Sequence, residues 1–244
     1  MAVTQPPPQS PGLRDAVVGN SRLSSINGEE GKLIYCGLDI HELAQKSTFE
    51  EVAYLLWFNA LPSPTNLERF RKQLCEKREL PEPLVRLLCD LPSRAVPIDV
   101  LRTAVSALGL FDSEIRDMSR QATLQKALRL TAMFPTILAA YHRLSQGKEI
   151  VHPRPDLDTA ANFLYMMFDK EPDAQASRVL DVALILHADH GMNASTFSAI
   201  VTAATLSDMY SAITSAIGTL KARCMAAQTK ASYSTCSTWA ASTK

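Results

Sequence analysis

Apolar residues recur with helical spacing along most of the chain. The stretch DIHELAQKS begins with Asp39, which is placed to cap a helix, and Ile40, Leu43 and Ala44 form its apolar face. The stretch STFEEVAYLLWFNALPS follows with a Ser/Thr cap, two glutamates in the first turn, an apolar run and a proline stop. Both stretches are predicted to be helices.

The same pattern continues almost to the end of the sequence. Pro135 lies inside one of these segments and is expected to kink the helix or to split it in two. The further predicted helices are residues 66–80, 81–92, 97–112, 120–148, 159–173, 174–190 and 193–221.

One short region differs from this helical pattern. Residues 21–37 contain two β-capable runs around Asn27-Gly28, a pair that favours a tight hairpin turn because both residues tolerate positive φ. The sequence shows no glycine-rich phosphate loop, no alternation of strands with helices and no repeat. The predicted fold class is therefore all-α with a short N-terminal β-hairpin.

Composition narrows the class of protein. The 244 residues are 46% hydrophobic, which is enough for one large or two modest cores. Lysine plus arginine equals aspartate plus glutamate, 25 each, so no net charge favours nucleic acid or an acidic membrane as a partner. No apolar stretch reaches transmembrane length, and residues 1–11 read as a disordered, proline-rich lead-in rather than a signal or transit peptide.

The five cysteines indicate a reducing compartment. Their number is odd and no two form a CxxC pair, which argues against a secreted disulfide framework. Reduced thiols and a cytoplasmic location are expected. The cysteines are Cys36, Cys75, Cys89, Cys224 and Cys236.

A polar cluster, HADHGMNAS, follows the apolar run LDVALIL. His187 and His190 are three positions apart, a spacing that puts both on one helix face and suits zinc, but no HExxH, third ligand or CxxC accompanies them. By residue type alone, hydrogen-bonded core histidines are the favoured interpretation. Asp189 is either part of the cluster or a helix-end carboxylate.

The wider context changes this interpretation. LDVALILHADHGMNASTF closely resembles the signature of the citrate synthase family, and the N-terminal block GLRDAVVGNSRLSSINGEEGKLIYCGLDIHELAQKSTFEEVAYLLWFNALPS resembles the family's in order and spacing. PIDVLRTAVSALG, NFLYMMF and TLSDMYSAITSAIGTLK resemble further family segments, so the resemblance spans residues 12–221. One departure is Val96, where many family members have a histidine.

The resemblance implies a specific chemistry. Family members condense acetyl-coenzyme A with oxaloacetate to give citrate and free coenzyme A, or use another acyl donor such as propionyl-coenzyme A in the 2-methylcitrate enzymes. They are helical homodimers in which a small domain closes on a large one. The resemblance implies neither a metal nor a redox cofactor, because the chemistry is enolate formation followed by carbon–carbon bond formation, with acetyl-coenzyme A as a substrate.

Site residues follow from the same resemblance. His190 matches the histidine that polarises the oxaloacetate ketone, where a ring N–H stabilises developing negative charge. His187 is expected to support the same oxaloacetate pocket, and Asn193 and Ser195 match polar positions that orient the catalytic groups. Gly191 is expected to let the backbone approach the ligand closely.

The resemblance ends before the second half of the family site. Family members carry the histidine that polarises the thioester in a GPLHGGAN block after this helix, and the catalytic aspartate and substrate arginines later still. No histidine of this chain follows Lys221. Each positioned acid or base contributes about 10²–10⁴ in rate. We therefore expect a largely missing small domain and an inactive chain, with a non-catalytic, truncated helical dimerisation module as the alternative.

The segment 222–244 is an aberrant tail of low hydrophobicity. It contains no leucine, isoleucine or valine and is either a disordered C-terminus or a misread frame. Residues 221–239 can be back-translated with permitted codons. When one G is inserted after the Lys221 codon, the new reading frame encodes KGPLHGGANEGVIQYLLDM, which contains the missing family block. The hypothesis is a one-base frameshift after Lys221. It fails if the gene shows no family sequence downstream in another frame.

Overall fold

A computed structural model describes Gly19 and residues 21–221, and this part of the chain is mainly helical. The predicted lead-in 1–11 and the tail 222–244 lie outside the described residues. The helices are α1 (Ile40–Lys46), α2 (Phe49–Phe58), α3 (Pro64–Cys75), α4 (Glu82–Asp90), α5 (Pro97–Leu108), α6 (Arg120–Ser145), α7 (Thr159–Phe168), α8 (Ala174–Leu186), α9 (Ala194–Ala204) and α10 (Met209–Leu220), with a short 3-10 turn at Gly109–Phe111.

The N-terminal β region is a small antiparallel sheet in the order β1-β2-β3. Its strands are β1 (Ser24–Asn27), β2 (Lys32–Tyr35) and β3 (Leu38–Asp39). Asn27 pairs with Lys32, so four residues form the connection and the predicted tight turn centred on Asn27-Gly28 is wrong. The Asn27 side chain instead accepts hydrogen bonds from the amides of Glu29 and Glu30, which stabilises the wider loop.

The first two helices confirm the capping analysis. Asp39 accepts a hydrogen bond from the His41 amide at 2.8 Å, and the predicted apolar face of α1 is buried. At α2, Thr48 and Glu51 form a reciprocal capping box, with the Thr48 amide 2.8 Å from the Glu51 carboxylate. Local sequence therefore sets where these two helices begin.

The predictions for two longer segments need correction. Helix α6 runs continuously through Pro135, so the predicted possibility of a split is wrong; burial of Met133 and Ile137 on either side holds the helix together. The predicted helix 193–221 is interrupted at 205–208. There Leu206 adopts a φ of 62° and Asp208 caps the next helix through the Ser211 amide.

Three buried clusters hold the described elements together. The largest joins α4, α5, α6 and α10 around Leu84, Ala104 and Ile137. A second joins the sheet, α1, α2 and the end of α8, and a third joins α2, α3 and α6. In the described part of the chain no helix is both long and apolar enough to span a membrane.

A buried polar network crosses the largest cluster. The Tyr210 hydroxyl donates to Asp112 at 2.7 Å, and Arg129 contacts both the tyrosine oxygen and the carboxylate. Burial acts to raise the pKa of Asp112, but the hydrogen bonds from Tyr210 and the Glu114 amide and the charge of Arg129 outweigh it, so the pKa is lowered. The ionised carboxylate thereby links α6 to α10.

This network predicts an acid-sensitive contribution to stability. A carboxyl group with a lowered folded-state pKa stabilises the fold above its unfolded pKa of about 3.9, and the contribution is lost as the pH falls through the folded-state pKa. Asp112→Asn should lower the free energy of unfolding by about 1–3 kcal/mol at pH 7 and by less at pH 3. Urea unfolding measures both values. Asp90→Asn, at an exposed site, is the control, and an equal loss at both pH values for Asp112→Asn would contradict the assignment.

Candidate functional site

The predicted site residues lie in and just after the connection between α8 and α9. Helix α8 ends at Leu186, earlier than predicted, because His187 takes the C-cap position. Helix α9 begins after Asn193. We call residues 187–193 the site loop. The end of α8 is anchored by Ile185, which is fully buried against the sheet and α2.

Both histidines of the site loop are exposed. The His187 ring nitrogen Nδ1 lies 2.7 Å from the Ala183 carbonyl oxygen, one turn earlier in α8. The structure gives His190 no hydrogen bond within residues 21–221. The interpretation of these residues as hydrogen-bonded core histidines is therefore wrong, because neither ring is in the core.

The turn after His190 has a defined backbone geometry. Gly191 adopts a φ of 62°, in the left-handed region that favours glycine. Its amide donates to the Asp189 carboxylate at 3.1 Å, so Asp189 is a turn-forming carboxylate at the helix end. A Cβ atom on Gly191 would lie 3.7 Å from the Ser24 hydroxyl oxygen, which places this turn directly beside β1.

The two polar residues after the turn differ in their contacts. Asn193 caps α9, with its side-chain oxygen accepting from the Thr196 amide at 2.9 Å. The Ser195 hydroxyl is buried and has no hydrogen-bond partner among the described residues. Asn193 thus fixes the start of α9, while Ser195 holds an unused donor and acceptor beside it.

Tyr35 is a contact of the site loop that the sequence reasoning missed. It is fully buried, and its hydroxyl lies 2.9 Å from the Asp189 carbonyl oxygen and 3.2 Å from the Asp189 amide nitrogen. Burial, and to a smaller extent the charge of Asp189, raises the pKa of Tyr35 to about 12 despite the hydrogen bond to the Asp189 backbone. No periodicity or motif relates two residues 154 positions apart in sequence.

The described part of the chain contains no cluster of side chains arranged as a metal centre. No group of three or more His, Cys, Asp or Glu side chains within Gly19 and residues 21–221 is arranged to hold a metal ion. His41, His142 and His152 each contact a neighbour elsewhere, namely Asp39, Gln146 and Glu79. Three cysteines in this part, at positions 36, 75 and 89, are free thiols.

Two cavities of the described chain lie away from the site loop. One cavity of about 630 Å³ lies between α3 and the loop before α7, lined by Glu50, Arg71 and Arg78 among others. Another of about 590 Å³ lies beside Phe168. Neither of these two cavities includes a residue of the site loop.

Comparison with known proteins identifies a matching family over most of the chain. Residues 12–238 match the family described as citrate synthase, C-terminal domain. Citrate synthase of Haloferax volcanii is 47% identical over 213 residues, which cover 86% of this chain and 56% of that protein. The 2-methylcitrate synthase of Shewanella oneidensis is 42% identical over 211 residues, with the same coverage of both chains.

Solved structures give the same result. The crystal structure of citrate synthase from Pyrobaculum aerophilum matches with a TM-score of 0.83 at 42% identity, over 89% of this chain and 57% of that one. Citrate synthase of Thermoplasma acidophilum, in a ternary complex with carboxymethyl coenzyme A and oxaloacetate, matches with a TM-score of 0.82 at 26% identity, over 86% and 55%. The chain thus spans little more than half the length of the relatives it matches.

The cap at Asn193 gives a testable prediction. Asn193→Ala should lower the free energy of unfolding by about 1 kcal/mol, because the Thr196 amide loses its acceptor. Asn193→Asp keeps a capping oxygen and should retain most of the stability. Urea unfolding of both variants measures the difference, and equal losses for alanine and aspartate would exclude a capping role.

Proposed function

Because the chain belongs to the citrate synthase family, we propose that its fold serves the condensation of acetyl-coenzyme A with oxaloacetate to citrate and free coenzyme A. The observation that carries this proposal is the exposed His190 at the end of α8, in a turn fixed by Gly191 and Asp189. The curated citrate synthases and the relative solved with oxaloacetate bound support it.

His190 has the principal role in the described half of the site. Its ring N–H donates a hydrogen bond to the ketone oxygen of oxaloacetate and stabilises the negative charge that develops there when the new carbon–carbon bond forms. His187 lies at the same end of α8 and supports the oxaloacetate pocket. Asn193 and Ser195 support the start of α9, where Asn193 is the N-cap and the Ser195 hydroxyl is buried.

The polypeptide of 244 residues has only part of this chemistry. Within these 244 residues no histidine follows Lys221, and the resemblance matches none of them to the thioester-polarising histidine, the base or the substrate arginines of the family. We propose that a polypeptide of this exact length does not catalyse the reaction. We also propose a one-base frameshift after Lys221, because one G inserted after the Lys221 codon, with permitted codons for the residues that follow, gives the GPLHGGAN block. No metal or redox cofactor has a role in this proposal, and reduced thiols fit a cytoplasmic location.

A second acyl donor is the alternative substrate. The 2-methylcitrate synthase of Shewanella oneidensis is nearly as similar to this chain as the citrate synthases are. Propionyl-coenzyme A differs from acetyl-coenzyme A by one methylene, and a pocket discriminates such a difference by only about 1–3 kcal/mol. Both donors therefore belong in the first assay.

A homodimer is the proposed assembly. Within the single chain, α9 has no buried residue although its composition is strongly apolar, and Ile200 and Val201 are about half exposed on it. Val179 of α8 is also exposed. Exposed apolar helix faces of this kind are typical of interaction surfaces. If the chain has no activity, the same surface supports the alternative of a non-catalytic dimerisation module.

The activity prediction compares two lengths of the protein. Coenzyme A release that depends on oxaloacetate should appear in the version with the restored base and full downstream frame, and should be absent from the 244-residue version. In the restored version, His190→Asn should lower kcat by about 10²–10³. His152→Asn, an exposed histidine outside the site loop, is the control. Equal activity of both lengths would disprove the proposal of a broken site.

The assembly prediction concerns α9. The 244-residue chain should elute as a dimer in size-exclusion chromatography with light scattering, and Val201→Asp should shift it to a monomer because a charge is then buried in the interface. Leu61→Asp changes an exposed leucine in the connection between α2 and α3 and should leave the dimer intact. A monodisperse monomer of the unsubstituted chain would contradict the homodimer.

A further inference from the structure

We propose that Tyr35 is a positioning residue, whose hydroxyl fixes the backbone on the N-terminal side of His190 and thereby aims the histidine. The catalytic consequence of this positioning rests on the proposed function of His190. The contact itself stands on the geometry of the described chain. Tyr35 touches no reacting atom and acts only through the site loop.

The hydroxyl of Tyr35 uses both of its hydrogen-bonding abilities on one residue. It donates to the Asp189 carbonyl oxygen at 2.9 Å and accepts from the Asp189 amide at 3.2 Å, with the Leu186 carbonyl oxygen a further 3.3 Å contact. Asp189 directly precedes His190. A single side chain therefore satisfies both backbone polar groups of the residue that leads into the histidine.

The phenol ring is itself immobilised. Tyr35 is fully buried and belongs to the cluster that contains Leu43, Leu55 and Ile185. Its backbone pairs with Ser24 on one side and Leu38 on the other, at the centre of the three-stranded sheet. A ring held by packing on its faces and by strands at its backbone places its hydroxyl within a narrow range.

The residue on the other side of His190 lies beside the sheet. A Cβ atom added to Gly191 would come within 3.7 Å of the Ser24 hydroxyl oxygen and 3.9 Å of the terminal carbon of Ile26 in β1. Asp189 is thus held by Tyr35 and Gly191 lies next to β1, while His190 between them is exposed. This arrangement restrains the backbone and leaves the ring accessible.

Loss of the hydroxyl has a defined consequence. Tyr35→Phe keeps the ring in the cluster and leaves the Asp189 amide and carbonyl groups without their partner. An unsatisfied buried group shifts a local opening equilibrium by about tenfold. Misplacement of a catalytic group by about 1 Å lowers a rate by up to about 10²-fold. The two effects are measured separately.

The first measurement uses the 244-residue chain and needs no activity. Hydrogen exchange of the Asp189 amide, followed by NMR, should be about tenfold faster in Tyr35→Phe than in the unsubstituted chain. Tyr141→Phe is the matched control, because Tyr141 is also buried and donates its hydroxyl to the Pro92 and Ala95 carbonyl oxygens, outside the site loop. It should leave Asp189 exchange unchanged. Unchanged exchange in Tyr35→Phe overturns the proposal.

If Tyr35→Phe does not fold, the unsubstituted chain alone tests the contact. Its Asp189 amide should exchange at least about tenfold more slowly than the same amide in an unstructured peptide. Exchange at the unstructured rate overturns the proposal without any variant.

The second measurement uses the version with the restored frame. Tyr35→Phe should lower kcat about 10- to 100-fold, with the KM for acetyl-coenzyme A unchanged, while Tyr141→Phe stays within about twofold. Full activity of Tyr35→Phe in a condensing enzyme overturns the positioning role. If the restored version does not condense the substrates at all, the proposed function fails instead, and the exchange measurement alone decides the role of Tyr35.

Discussion

Burial of Ile185 against the sheet and α2 is the constraint on which the site loop depends. This side chain is fully buried with Tyr35, Leu43 and Leu55, so the last turn of α8 has one position relative to the N-terminal region. Residues beyond Ile185 leave the core and become a turn with exposed histidines. The polar chemistry of the loop is exposed because α8 ends where its buried face ends.

A buried carboxylate fixes the other side of the same helix. Asp181 of α8 accepts from the Phe49 amide at 2.8 Å and from Arg178 at 2.6 Å, and Arg178 also donates to the Ser47 carbonyl oxygen. Burial, and then the charge of Glu50, raises the pKa of Asp181 even though the Phe49 hydrogen bond opposes this. Asp181 therefore contributes a directional polar contact between α8 and α2. Apolar packing alone would let the two helices slide along each other, and this hydrogen bond opposes such a shift.

The opposite side of the loop is far less constrained. Helix α9 has an N-cap at Asn193 but no buried residue within the single chain, and the Ser195 hydroxyl beside it lacks a partner among the described residues. The chain matches little more than half of each solved relative. The exposed Ile200 and Val201 of α9 are the apolar surface that the described chain leaves uncovered here.

The sequence by itself determined the helical class, the caps of the first two helices and the position of the polar cluster. Asp39, Thr48 and Glu51 are local signals that act within one turn, and the order of family segments needs no coordinates. Tertiary structure decided the rest. The end of α8, the break at Leu206 and the continuous α6 depend on which faces are buried, and the contact of Tyr35 with Asp189 joins residues that only folding brings together. Local hydrogen bonds are encoded by neighbours in sequence, whereas burial is a property of the whole packed chain.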